Sequence, residues 1–280
     1  MGDRFGVLTT NQCHPVISMT EVFARRPRVG LFVTCLVDLM RPSVGFAAVR
    51  LLEAAGCEVV VPEGQTCCGQ PAYNGGDAEN GRKIAMQTMR AFDGFDYVVA
   101  PSGSCAAMLK VHYPRLLADD PQTASAARAF AERVHELCAF LIDVCGLEQV
   151  PGSFAGRVTY HDGCSGLREL KVREQPRRLL ATVPGLELCE MSDTDVCCGF
   201  GGLFAMKFPA ISNAMVTKKC ANAASAKPDL LLSGEMGCLL NVAGKLSRQG
   251  AEIECRHIAE VLAGEMTAPA IASSSDGERR

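Results

Sequence analysis

Short, compact apolar runs alternate along this chain with longer stretches whose apolar residues recur at helical spacing. Val29 to Thr34 is too short for a helix and is bounded by Gly30 and Cys35, which predicts a buried strand. From Pro42, suited to a first helical position, the residues Val44, Ala47, Ala48, Leu51, Leu52 and Ala55 mark one helix face that Gly56 ends. Val59 to Val61 predicts a second strand, Gly81 to Phe92 a helix, and Tyr97 to Ala100 a third strand broken by Pro101-Ser102-Gly103. The Ala-rich segment 121–145 predicts continuous helix, and Gly146 to Ser153 a connector. The scheme then repeats. Val158 to Tyr160, Leu186 to Cys189 and Leu230 to Leu232 predict strands, Pro176 opens a helix that Pro184-Gly185 ends, and Ile253 and a helix around His257 to Leu262 complete the core.

Strands alternating with helices predict parallel β-α-β units. The expected fold is therefore α/β: two tandem, pseudo-symmetric lobes, each with a mainly parallel sheet. The expected boundaries are a flexible leader at 1–27, a first lobe at 28–150, a second at 151–264, and a disordered Ser-, Ala- and Glu-rich tail at 265–280.

Cysteine usage sharpens this picture. Cys67-Cys68-Gly69 recurs as Cys197-Cys198-Gly199, and single cysteines flank each copy in matched register. The two sets are Cys35, Cys67, Cys68, Cys105 and Cys164, Cys197, Cys198, Cys238, related by an offset of about 130 residues. Each of these cysteines follows the carboxyl end of a predicted strand, the edge on which ligand sites of open α/β sheets form. Each quartet is therefore expected to converge, lobe by lobe, at one rim. Cys57, Cys138, Cys145, Cys189, Cys220 and Cys255 fall within or beside predicted elements and read as small buried apolar residues.

Fifteen cysteines in a chain with no apolar run near membrane-spanning length and no secretory apolar core point to a reducing, cytoplasmic setting and to metal or redox chemistry. The net charge of −3 gives no reason to expect nucleic acid or an anionic membrane as partner. No phosphate-binding glycine fingerprint occurs, so no bound nucleotide is expected. Four thiolates suit an iron–sulfur cluster or zinc. The paired knuckles of structural zinc sites are missing from both quartets. Adjacent cysteines reach different metal atoms more readily than one, which favours a polynuclear cluster. Two other readings stay open: a thiol–disulfide enzyme using the vicinal pairs, and a zinc-stabilised scaffold.

The motifs Leu31-Phe32-Val33-Thr34-Cys35, Cys67-Cys68-Gly69-Gln70-Pro71-Ala72, Pro101-Ser102-Gly103-Ser104-Cys105, Cys197-Cys198-Gly199-Phe200-Gly201-Gly202, Met236-Gly237-Cys238-Leu239-Leu240-Asn241 and His257-Ile258-Ala259-Glu260-Val261-Leu262 resemble the cysteine-rich CCG domain family. Within it the resemblance is strongest to the lactate-utilisation protein A group, which is related to the iron–sulfur subunit of glycolate oxidase and to the CCG-bearing component of heterodisulfide reductase. The resemblance covers about residues 28–264. It implies a cytoplasmic oxidoreductase component, active within a complex that oxidises L-lactate to pyruvate with a ferredoxin-like iron–sulfur subunit and a third subunit. A glycolate-oxidase-like iron–sulfur subunit is the nearest alternative. It also implies that the eight cysteines hold one or two iron–sulfur clusters, of the 4Fe–4S type. The family's full motif ends in Cys-x-x-Cys, whereas Met108 and Asn241 stand at those last positions here. Both repeats thus offer four cysteines rather than five.

Gly69, Gly199, Gly201 and Gly202 let the backbone approach a bulky ligand and direct amides at its sulfurs, or serve tight turns. His161 and His112 stand near cysteines as possible donors. The basic run Arg168, Lys171, Arg173, Arg177 and Arg178 reads as a solvated helix face or a docking face for an acidic partner.

Overall fold

A computed structural model describes residues 25–273. Among these residues eight strands form two sheets of four, all parallel. In the first lobe they are β1 (Arg28–Leu31), β2 (Glu58–Val60), β3 (Tyr97–Ala100) and β4 (Val134–Glu136), ordered β2-β1-β3-β4. In the second they are β5 (Gly156–Tyr160), β6 (Leu186–Leu188), β7 (Leu230–Ser233) and β8 (Glu254–His257), ordered β6-β5-β7-β8. The same order in both sheets repeats the sequence duplication as topology. The apolar runs fall where burial on both faces requires them: Val29, Leu31, Val98 and Val99 in the central strands, and all of Leu230 to Leu232, are buried.

One element departs from the sequence reading. Segment 121–145 is not a continuous helix: the helix Pro121–Glu132 ends, β4 pairs with β3, and helical turns resume at Leu137. Val134-His135-Glu136 carries no apolar run because it is an edge strand, and the Ala-rich flanks mask it. Glu136 then caps the following turn by accepting from the Ala139 amide. Its counterpart His257 ends β8 and caps the helix Ile258–Ala263 in the same way, within a capping box completed by Glu260.

After these fourth strands each lobe lends its last helical segment to the other. The helix Ile258–Ala263 packs on the first-lobe helix Pro42–Ala54, and the turns Leu137–Val144 pack on the second-lobe helix Glu174–Leu180. One apolar core accordingly runs through both lobes, joining Leu51 and Leu141 to Leu180, Leu239 and Val261. A second cluster around Phe32, Phe92, Tyr113 and Phe130 draws its buried residues from the first lobe, with Leu170 of the second packed against it. Arg41 crosses the junction: its guanidinium donates to both carboxylate oxygens of Glu260 at 2.9 and 3.2 Å and to the Pro269 carbonyl at 2.7 Å. Ser43 Oγ adds a hydrogen bond to Glu260 at 2.6 Å.

Most of the leader and the end of the C-terminal tail lie outside the described residues. Residues 265–273, read from composition as part of a disordered tail, lie on the fold: Ala270 is buried, the Ile271 amide donates to Cys255 O, and Arg256 donates to Ala268 O.

Candidate metal centre

Every cysteine of the two quartets sits in a loop or first helical turn beyond the carboxyl end of a strand. Cys35 and Cys164 are the first residues of the helices Cys35–Met40 and Cys164–Glu169, following β1 and β5. Cys105 lies in the helix Gly103–Ala107 after β3, and Cys238 in the first turn of Met236–Arg248 after β7. Cys67-Cys68 and Cys197-Cys198 occupy the loops beyond β2 and β6.

The quartets converge as the spacing predicts. Cys35 and Cys67 Sγ are 3.9 Å apart, and Cys198 and Cys238 Sγ are 2.9 Å apart. The remaining members hydrogen-bond thiol to thiol: Cys68 with Cys67 and Cys105, and Cys197 with Cys164 and Cys198. Hydrogen bonding from Cys35 drives the Cys67 thiol down to about 2, and Cys164 does the same for Cys197. The donating thiols Cys35 and Cys164 are pushed up in return. Each quartet therefore shares protons among its thiols, and binding a cation would release them.

Both quartets face the same space, which the sequence does not foretell. A cavity of about 300 Å³ between the lobes is lined by all four first-lobe cysteines and by Cys164 and Cys238 of the second. Cys198 is sealed beneath it, with the Phe200 ring lying across Gly237, where a Cβ would strike it. At the cavity floor Glu235 of the second lobe accepts from Ser102 Oγ at 3.0 Å, Ser104 Oγ at 2.9 Å and the Ser104 amide at 2.5 Å, all from the first. Burial pushes its carboxyl up to about 8. Nearby the lobes touch backbone to backbone: a Cβ on Gly103 would stand 2.7 Å from the Gly166 Cα.

The glycines named from sequence all have positive φ: 82° at Gly69, 84° at Gly199, 51° at Gly201 and 59° at Gly202. At Gly199 this geometry serves a turn and a sulfur together. A Cβ there would lie 2.8 Å from Ser212 O, and its amide points at Cys197 Sγ at 3.4 Å. The residues that replace the family's last cysteines do structural work instead. Asn241 donates to Cys198 O at 3.0 Å, while Met108 is fully buried core. In the first lobe Tyr113 Oη holds Cys68 O at 2.9 Å. Tyr113, Asn241 and Glu235 have no sequence signal beyond their spacing from the cysteines.

His112 pairs through Nε2 with Glu169 across the lobes at 2.6 Å, and its buried Nδ1 has no hydrogen-bond partner among the described residues. One sequence reading changes. Arg177 of the basic run turns inward: it grips Asp162 at 2.9 Å through both terminal nitrogens and reaches Glu190 at 2.6 Å through Nε, so it is no free docking cation. His161, by contrast, belongs to the site. Its side chain, Cys198 and Cys238 present three ligand atoms within 4.8 Å of one another.

The family model for the cysteine-rich CCG domain matches this chain twice, over residues 29–110 and 158–243. The chain belongs to the CCG cysteine-rich domain family. It is homologous to Lactate utilization protein A of Geobacillus kaustophilus, with 49% identity over 235 residues covering 84% of this chain and 98% of that protein. The protein of the same name from Bacillus subtilis is 43% identical over the same share of both chains. Among solved structures, a hypothetical protein from Helicobacter pylori superposes with a TM-score of 0.57 at 11% identity, over 86% of this chain and 49% of that one. That likeness concerns the fold alone, and this chain spans about half of that protein.

Proposed function

We propose that this chain is the iron–sulfur subunit of a cytoplasmic lactate-oxidising system, holding a cluster in each cysteine quartet and relaying electrons as lactate becomes pyruvate. The single observation that carries the reading is the gathering of each four-thiol set within its lobe, with the whole first set and Cys164 and Cys238 of the second lining one inter-lobe cavity. The donor set fits: soft sulfur, thiols held close together within each lobe, and adjacent cysteines able to reach different metal atoms. Cys35, Cys67, Cys68 and Cys105 would hold one cluster, and Cys164, Cys197, Cys198 and Cys238 the other. Homology to Lactate utilization protein A supplies the substrate class.

When bound, the clusters supply one-electron carriers. The chain's own contribution is placement and shielding. The Gly199 amide directed at Cys197 stabilises negative charge on sulfur, and the sealed position of Cys198 limits water at the second quartet. Oxidation of a 2-hydroxy acid releases two electrons and two protons, and a relay needs donor and acceptor proteins nearby. The proposed partners are a ferredoxin-like iron–sulfur subunit and a third subunit. Exposed Leu39, Met40, Met206 and Phe208 continue the segments that carry cavity-lining Leu36 and Gly202, placing apolar surface where such a partner would dock. Among the described residues no helix is long and apolar enough to cross a membrane.

The test is reduction by substrate. The anaerobically purified chain, mixed with its two partner subunits and L-lactate, should lose visible iron–sulfur absorbance while pyruvate accumulates. Glycolate should be a poor replacement. A chain that binds zinc and shows no absorbance change would make it a scaffold instead.

A further inference from the structure

The two lobes are built alike but do not offer their cofactors the same ligands. Phe32 and His161 hold equivalent places: each stands three residues before the first cysteine of its quartet, and each amide donates to the third strand of its sheet at 2.8 Å, Phe32 to Val99 O and His161 to Leu232 O. In the first lobe the side chain is core, with Phe32 packed against Phe92 at a ring separation of 5.6 Å. In the second it is an imidazole with no exposure; among the described residues neither ring nitrogen has a nitrogen or oxygen partner, and what it faces is the Cys238 thiol. A fully buried imidazole with only thiols facing it costs free energy that a bound metal would offset. The ring lies against Cys198 and Cys238, the three ligand atoms all within 4.8 Å, a span that a single metal atom bonded to nitrogen and sulfur can bridge.

The segment that carries His161 is fixed before any metal arrives. Ser233 Oγ donates to His161 O at 3.0 Å, next door Asp162 is clamped by Arg177, and Gly163 leaves no room for a Cβ beside Glu235. These restraints hold the imidazole in place beside the thiols while giving its nitrogens no nitrogen or oxygen partner among the described residues, as a preorganised ligand requires.

We infer that His161 is a metal ligand, binding the same metal atom as Cys198 and Cys238, so that the second lobe offers five donors including one nitrogen where the first offers four sulfurs. This rests on the proposal that the quartets hold iron–sulfur clusters, and it goes beyond it: the two clusters are chemically distinct, and only one has a histidine ligand.

Pulsed electron paramagnetic resonance on protein labelled with nitrogen-15 histidine tests the inference directly. A Cys68→Ser background leaves the second-lobe cluster as the source of the reduced signal, and Cys198→Ser leaves the first. Strong coupling to a histidine nitrogen is expected in the former and not in the latter. His161→Phe, which copies the first lobe, should remove the coupling and speed chelator-driven iron loss from the second lobe about tenfold or more, with first-lobe iron unchanged. His161→Cys should restore iron retention while the nitrogen coupling stays lost. Should His161→Phe fail to fold, the labelled parent and His161→Cys decide the matter. Iron-loaded protein without histidine coupling in the second-lobe signal, or with coupling that survives His161→Cys, overturns the ligand role and leaves the cluster proposal standing. A chain that takes up no iron in either lobe overturns both.

Discussion

At the scale of single residues, the buried groups around the cleft divide into those whose polar atoms are paired and those that are not. Glu235 sits among three donors, and Asn241 and Tyr113 secure the two Cys-Cys carbonyls. Glu136 makes a testable case because it lies away from the cysteine quartets. Burial pushes its carboxyl from 4.5 up to about 7. A carboxyl raised on folding stabilises the fold in its protonated form, so its contribution is full below pH 4.5 and is lost as the pH rises through 7. Glu136→Gln keeps a cap acceptor but cannot ionise. Thermal melts should show the variant gaining on the parent between pH 5 and 8, by up to about 3 kcal/mol. A difference between the two that does not vary with pH would contradict this reading. None of this was legible in sequence, where Glu136 sits in an Ala-rich stretch that reads as helix. The cysteines were legible because eight positions in matched register leave a pattern that single buried carboxyls do not. His161 was visible only as a histidine near a cysteine. Its meaning depends on nitrogens that face only thiols, which spacing cannot reveal.

At the scale of elements, apolar runs bounded by glycine, proline or cysteine marked six of the eight strands, with β8 entering only through Ile253 just before it and β4 missed. Central strands buried on both faces must be apolar throughout, so they announce themselves. Edge strands need not be, and β4 was hidden for that reason. Helix starts at Pro42 and Pro121 were set by proline at the first helical position. The close approach of Gly103 to Gly166 was not foreseeable, because it joins elements from different lobes. Gly103→Ala should force these helices apart and cost about 1–3 kcal/mol in denaturant unfolding. A variant as stable as the parent would show that the two backbones can part without loss.

On the scale of the whole molecule, duplication gave two similar sheets, and the exchange of last helical segments made them one body with one continuous core. The sequence suggested two quartets at two rims; the exchange turns those rims toward each other across a shared cavity. Arg41 and Glu260, both nearly or fully buried, pin that arrangement. Truncating Arg41 to alanine strands a buried carboxylate and should cost about 3–5 kcal/mol. Because the lobes share a core, circular dichroism and cleft-sensitive thiol labelling should report one coincident transition in both parent and Arg41→Ala. Two separated transitions in the parent would mean that the lobes are independent.

The central claim, that each lobe's four thiols hold an iron–sulfur cluster, is tested most directly by iron and acid-labile sulfide per chain after anaerobic purification. Iron and sulfide should be present in equal amounts, and either Cys68→Ser or Cys198→Ser should remove about half of both while the other lobe keeps its share. Zinc in place of iron, or a parent chain with neither iron nor sulfide after reconstitution, would contradict it.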